Sequence, residues 1–196
     1  APRVFAYHIF FAMAFFLLGL SVLAKKRAER VWFACICLLV MTLFSGLRGL
    51  VGADTASYHA IFNDADVGDF PVGDWLLVEP LFSLWMWLVK VCTDSSYFFM
   101  FSVSAVQGAL LFWVVINEKG SGWFILAYLT GFYIQNQFNV VRSGVAVLLL
   151  AVAYVLQKKG RSNIVVLIGA GLVHYTSLVF IPILAKGLAR RHVVLG

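Results

Sequence analysis

The stretch VFAYHIFFAMAFFLLGLSVLAKKRAER, residues 4–30, decides the fold class. Its apolar part, 4–24, matches the roughly 20 residues that a helix needs to cross a hydrocarbon core. It is too long for the apolar region of a signal peptide, and Lys25, Lys26 and Arg27 follow it directly, as they do a retained span. Arg3 stands before it, and Lys25, Lys26, Arg27 and Arg30 stand after it. The positive-inside bias therefore runs this helix from outside to inside.

The rest of the chain repeats the pattern. Its 196 residues are 62% hydrophobic and 12% charged, with a mean hydropathy of +0.93. Soluble domains are about 45–50% apolar and about 25% charged. That departure excludes a soluble domain, a disordered tail and a secreted disulfide scaffold. The net charge of +6 is gathered in short clusters beside apolar runs: residues 25–30, then Lys158, Lys159 and Arg161, then Lys186, Arg190 and Arg191. Such clusters set membrane topology. No basic stripe with interleaved aromatics is present, so nucleic acid is not an expected partner. Cys35, Cys37 and Cys92 lie in or beside apolar stretches without His or acidic neighbours at metal-ligand spacing, and they read as inert thiols. No hydrophilic stretch is large enough for a separate soluble catalytic domain, and residues 1–196 read as one transmembrane domain.

The apolar runs are 4–24, 31–47, 75–91, 97–116, 122–136, 140–157 and 163–185. The basic clusters at 25–30 and 158–161 belong on the cytoplasmic side, so an even number of crossings separates them. One of the five runs between them does not cross. The best candidate is 79–90, which has charged ends, carries Pro80 near its start and is too short to span. The prediction is an all-α polytopic transmembrane helical bundle of about six spans. An interfacial or re-entrant helix at the outer face completes it, with Trp85 and Trp87 at headgroup depth, inside an outer loop of about 48–92. Six of the nine acids (Asp54, Asp64, Asp66, Asp69, Asp74 and Glu79) then face outward against the single base Arg48. The loop 117–122 is expected on the cytoplasmic side and the turn at Asn136–Asn139 outside. A straight crossing at 163–185 places Lys186, Arg190 and Arg191 outside, against the charge rule. Either the rule fails there, or the segment bends near His174 and returns.

Ionisable residues inside a membrane body are the informative ones. Ser143 to Gln157 supplies only 15 residues, so the helix holding Arg142 is expected to begin near Phe138, with Arg142 one turn inside the outer boundary. A central Arg costs about 2.5–3.5 kcal/mol on insertion scales, and less near the edge. Either Arg142 snorkels, or it is a fixed cation facing a polar cavity; Asn136, Gln137 and Asn139 favour the cavity. His174 has eleven uncharged residues on each side. Unpaired burial of its ring nitrogens would cost roughly 2–7 kcal/mol. It is either tied structurally to a neighbouring helix or a proton-transfer or ligand-contacting group, since imidazole titrates near neutrality. In the outer loop, Gly49 and Gly52 permit a tight backbone approach. Asp54 reads as an N-cap, with Tyr58 and Phe62 following on one helix face. Glu79 before Pro80 fits a helix-start acid favoured by the dipole.

These residues together resemble a known family. The Arg-x3-Gly-x-Asp-x3-Tyr-x3-Phe loop of Arg48, Gly52, Asp54, Tyr58 and Phe62 resembles that of the EpsG proteins of exopolysaccharide synthesis, which are related in role to Wzy-type O-antigen and capsule polymerases. Glu79-Pro80-Leu81-Phe82, Asn139-Val140-Val141-Arg142 and His174-Tyr175-Thr176-Ser177 are similar to the family's later landmarks, in the same order. Ser143 stands where the family usually has Gln. Members are normally longer, with further spans after the His, so the resemblance implies an N-terminal fragment.

The resemblance implies a multi-pass protein of the bacterial cytoplasmic membrane. Such a protein would transfer a growing glycan from a polyprenyl diphosphate carrier onto another lipid-linked oligosaccharide unit at the outer face. Arg suits a diphosphate because its planar guanidinium binds oxygens bidentately and keeps its proton. The implied substrate-binding residues are Arg48, Arg142, Tyr58 and Asn139. The implied base is Asp54, Glu79 or His174, with the lean towards the two acids. No Gly-rich phosphate loop or His/Cys cluster points to a metal or another cofactor. The expected partners are a polyprenyl-diphosphate-linked oligosaccharide, membrane lipids and other polysaccharide-assembly proteins. The competing readings are a transporter or flippase of lipid-linked glycans and another membrane-embedded glycosyl- or acyltransferase. The gathering of charge at one side weighs against transport, which needs polar groups through the full membrane depth.

Overall fold

Hydrocarbon offers no partner to a backbone N–H or C=O, so a chain this apolar folds as helices that bond internally. The computed structural model describes residues 2–66, 68, 79–118, 121–180 and 182, and the described residues contain helices and no strand. Helices α1 (Pro2–Leu23) and α2 (Arg27–Gly46) form a hairpin closed by a Ser21 Oγ hydrogen bond to the Arg30 carbonyl at 2.9 Å. Phe10, Ala14 and Leu18, one stripe of α1, pack against Ala34, Cys37, Leu38 and Met41 of α2. Helix α3 (Thr55–Asp64) follows the loop after α2, and α4 (Pro80–Cys92) precedes α5 (Ser96–Asn117). Ser95 Oγ caps α5 by accepting from Phe98 N at 3.3 Å. Helix α5 runs antiparallel to α2 at close range: a Cβ on Gly46 or Gly108 would collide with Phe101 or Thr42. Small residues at such crossings are how membrane helices approach.

The chain returns through α6 (Ser121–Gly131) and a π-helical turn, Gln135–Asn139. Helix α7 (Val141–Lys158) then runs parallel to α5, with Val103 beside Val141 and Val145, and Val114 beside Val152 and Val155. Glu118 and Asn117 accept from Lys158 and Lys159 at 2.8 and 2.5 Å, closing one end of the bundle. Helix α8 (Ile164–Val173) folds back along α7, and the 3-10 segment Tyr175–Phe180 follows. Arg27 lies at the same end as Lys158, because α2 is antiparallel to α5. The opposite end carries Arg48, Glu79, Arg142 and His174.

Among the described residues, four helices are long and apolar enough to cross a membrane: Phe5–Leu23, Arg27–Gly46, Ser96–Asn117 and Val141–Lys158. The expected count of about six therefore resolves into four such helices plus shorter apolar ones. The stretch 122–136 is α6 running on into the π turn. Within the stretch 163–185, helix α8 ends at Val173, where His174 turns extended (φ −157°, ψ 114°). Of the two alternatives for this segment, a bend at His174 is present. With Asn163 Nδ2 on the Ala153 carbonyl, the ten residues of α8 carry His174 to the level of Arg142 rather than to mid-span. Helix α7 begins at Val141, not near Phe138, because Val140 (φ −110°, ψ 66°) leaves helical geometry after the π turn. Arg142 is thus in the first turn of α7. At 13 residues, about 20 Å, α4 is too short to span, as expected of the 79–90 stretch. Trp85 is half-buried and packs edge-on against Phe99. Asp69, Asp74, Lys186, Arg190 and Arg191, and residues 75–78 of the non-spanning run, lie outside the described residues.

Candidate functional site

Three elements meet at Glu79. Pro80 starts α4 at the position where a missing N–H costs nothing, which leaves Glu79 at the helix entry. Glu79 stands at the helix start, as expected, and its side chain makes no cap bond there. Instead Oε2 accepts from Arg142 Nη1 of α7, and Oε1 lies 2.5 Å from His174 Nδ1 at the end of α8. The Glu79 side chain is 7% exposed, against 36% for Arg142 and 25% for His174. A buried carboxylate thus holds two cation-capable groups that still reach the open.

Each partner is fixed from behind. Arg142 Nε donates to Tyr58 Oη at 3.1 Å, and its guanidinium lies 5.4 Å from the Tyr58 ring and 5.9 Å from the Phe82 ring. Among the described residues, its Nη2 has no hydrogen-bond partner. His174 N donates to the Ala170 carbonyl at 3.0 Å, and the His174 carbonyl accepts from Ser177 N and Oγ at 3.0 and 2.8 Å. Ser177, quoted above only as part of a landmark, locks the backbone that aims the ring. With Nδ1 against a carboxylate, Nδ1–H is the donor in this contact. Burial pushes the Tyr58 phenol up, opposed by the Arg142 cation, so it stays a neutral hydroxyl whose proton is free to donate.

Arg48 is engaged by its own loop. Its Nε donates to Val51 O at 3.1 Å, Nη1 to Ser45 O at 2.8 Å and Nη2 to Thr55 Oγ1 at 3.4 Å. The guanidinium lies 5.1 Å from the Phe138 ring. Burial lowers its pKa to about 10, with nearby tyrosines opposing, so it remains a cation at neutral pH. All three nitrogens are engaged in tying the end of α2 to the glycine loop and to α3. Gly52 (φ 120°) lets that loop press on the π turn, since a Cβ there would run into the Phe138 carbonyl and Thr55 Oγ1. Asn139 closes the same junction: Oδ1 accepts from Ala53 N at 3.0 Å, and Nδ2 donates to Gln135 Oε1 at 3.2 Å. Asp54 takes the N-cap position of α3 but makes no side-chain cap bond, which corrects the capping expectation. It is half-buried, with its charge felt at Tyr58. Tyr58 and Phe62 share the buried face, as their spacing implies, and Phe62 stacks on Phe99 at 5.2 Å.

The structure therefore brings Glu79, His174, Arg142 and Tyr58 together, and places Arg48 and Asn139 in the adjoining loop junction. A groove of about 720 Å³ lies between α1 and α2, lined by apolar side chains such as Phe10, Met13 and Leu43, with Arg48 at its end. Among the described residues, no three His, Cys, Asp or Glu side chains converge at metal-ligand spacing.

The model of the EpsG family matches residues 31–194, which contain Arg48, Asp54, Tyr58, Glu79, Asn139, Arg142 and His174. The chain belongs to the EpsG family. EpsG proteins are exopolysaccharide polymerases, so a polymerase-type role in exopolysaccharide synthesis follows from membership. Neither the curated proteins nor the solved structures contain a match.

Proposed function

We propose that this EpsG protein is a glycosyltransferase that transfers a glycan from a polyprenyl diphosphate carrier to a hydroxyl of a second lipid-linked oligosaccharide. The observation that carries the reading is the Glu79 carboxylate clamped between Arg142 and His174, with the free edges of both turned outward. In the reaction, the acceptor oxygen bonds to the anomeric carbon as the bond from that carbon to the diphosphate oxygen breaks. The acceptor proton passes to His174 Nε2. Glu79 keeps the proton on Nδ1 and stabilises the imidazolium, the role a carboxylate plays behind a general-base His. The departing diphosphate gains negative charge, which Arg142 and the Tyr58 hydroxyl stabilise from fixed positions.

Within this scheme Glu79 is a positioning residue and His174 the base. Arg48 and Asn139 hold the loop that carries Asp54 and Tyr58. The apolar groove between α1 and α2 suits the hydrocarbon tail of the carrier. The lysine-bearing end faces the cytoplasm by the positive-inside rule, which puts the site at the outer face of the bacterial inner membrane.

The test is a gel of products formed by the purified, lipid-reconstituted protein. It would be given lipid-linked oligosaccharide purified from a polymerase-deleted source strain. A ladder from the wild type and none from Arg142→Ala or His174→Ala is expected. A normal ladder from Arg142→Ala, with the variant correctly inserted, overturns the reading.

A further inference from the structure

Gln107 sits near the middle of α5, in a stretch that is otherwise almost wholly apolar, and its side chain is fully buried. Its Nε2 donates to the Asn136 carbonyl at 3.2 Å and to the Val141 carbonyl at 3.0 Å. These two acceptors lie on opposite sides of the break at Val140, one in the π turn and the other at the first residue of α7. One amide group thus uses both its hydrogens to bridge the break. Gly144, one turn into α7, makes room for it, since a Cβ there would meet the Asn136 carbonyl and Gln107 Nε2. Arg142 is the next residue after the bridged Val141.

The arrangement carries a cost. Among the described residues Gln107 Oε1 is buried with no partner. An unsatisfied buried acceptor of this kind destabilises a fold, and a leucine of similar size would pack there without it. Helix packing alone gives no reason for the glutamine.

We propose that Gln107 is a positioning residue for Arg142, setting the start of α7 so that the guanidinium meets Glu79 and Tyr58 together. This rests on the reading of Arg142 as the group that stabilises the leaving diphosphate. A positioning residue acts on the transition state, so its loss lowers kcat and leaves KM unchanged. Displacing a reacting group by about 1 Å costs on the order of 10²-fold.

The experiment compares Gln107→Leu and Gln107→Glu with the wild type in the full-length protein, reconstituted in lipid with the same lipid-linked oligosaccharide. Gln107→Leu is expected to lose roughly 10- to 100-fold in kcat per folded molecule, with KM unchanged. Gln107→Glu, which in its protonated form retains one donor, is expected to lose less, and to lose more as pH rises and that proton leaves. A Gln107→Leu protein with wild-type kcat per folded molecule overturns the proposal. A second measurement reads the geometry without activity. In the unchanged chain, Glu79→Gln and Arg142→Ala are expected to lower the melting temperature non-additively, because each breaks the same pair. In the Gln107→Leu background the two losses become additive. Non-additivity that persists there overturns the positioning role. Full polymerisation by Arg142→Ala overturns the reading of the site instead, and the melting comparison still decides the role of Gln107.

Discussion

Replacing Glu79 by glutamine changes one oxygen for an NH2 at the centre of the site, and its consequences follow from the contacts of that carboxylate. The wild-type group accepts from Arg142 Nη1 and faces His174 Nδ1, and both contacts need an acceptor on the Glu79 side. Glutamine offers one acceptor and one donor. If the acceptor stays with Arg142, the amide N–H points at Nδ1 and the imidazole must put its proton on Nε2. The lone pair that takes the acceptor proton is then gone. In a serine-protease triad the equivalent Asp→Asn change, acting through the wrong tautomer, costs about 10⁴ in kcat. Here the loss is expected at about 10³- to 10⁴-fold. The stability cost is smaller. Breaking a buried pair costs about 3–5 kcal/mol, but Arg142 is 36% exposed and water screens it, which reduces the expectation to about 1–3 kcal/mol. The two effects separate experimentally: chain growth is timed on a gel per unit of folded protein, and unfolding is followed by heating in detergent. Glu79→Asp keeps the charge but cannot reach both partners, so it is expected to recover stability more than rate. Chain growth by Glu79→Gln at the wild-type rate would refute the paired roles of Glu79 and His174.

Arg48→Ala abandons the carbonyls of Ser45 and Val51 and the Thr55 hydroxyl, and is expected to cost about 2–4 kcal/mol in detergent unfolding. Arg48→Lys recovers part of this, since an ammonium lacks the fork that serves three acceptors. Gly52→Ala forces a side chain into a positive-φ position against the Phe138 carbonyl. Limited proteolysis should then cut the 48–54 loop faster, at a cost of about 2–3 kcal/mol. Leu43→Trp or Met13→Trp fills the groove between α1 and α2, and should raise KM for substrates on long polyprenyl carriers and not for those on short ones. Burial, aided by the Arg48 cation, lowers the pKa of His59 in α3, so the folded state holds the ring neutral. The unfolded ring titrates near 6.5. This contribution is therefore complete above about pH 6.5 and declines as pH falls below it. Melting temperature measured against pH should drop on the acid side, and His59→Gln should reduce the drop.

The sequence carries the helices and the identities of the site residues, but not their pairing. Composition and the basic clusters reveal the bundle because hydrocarbon imposes the same demand on every span. Arg142 and His174 stand out because each interrupts an apolar run. That both contact Glu79 depends on the helix endings at Val140 and His174, and those are tertiary. No proline marks either break. The Val140 ending is held by the Gln107 amide and by the Asn139 and Thr55 bonds to the loop, and the His174 ending by Ser177. The loop contacts of Arg48 were illegible for a related reason. An arginine beside glycines in an outer loop fits an anion site, and only the fold shows its nitrogens turned on the end of its own helix. Gln107 was the overlooked signal, a long polar side chain within a span.

The two breaks also explain how the site is possible at all. Helix α8 starts beside Asn163, docked on the Ala153 carbonyl, so its ten residues rise to the level of Arg142. Its end at Val173 turns His174 into extended backbone, and there Nδ1 meets Glu79 at the entry of α4. The late start of α7 leaves Arg142 at a helix N-terminus, where the dipole opposes a cation. The Glu79 carboxylate, itself nearly buried, supplies the compensating charge. An anion arriving at Nη2 then joins a cation already oriented by Tyr58 and Glu79. It meets a prepared electrostatic site and does not have to assemble one, which is the condition under which such groups accelerate a reaction most.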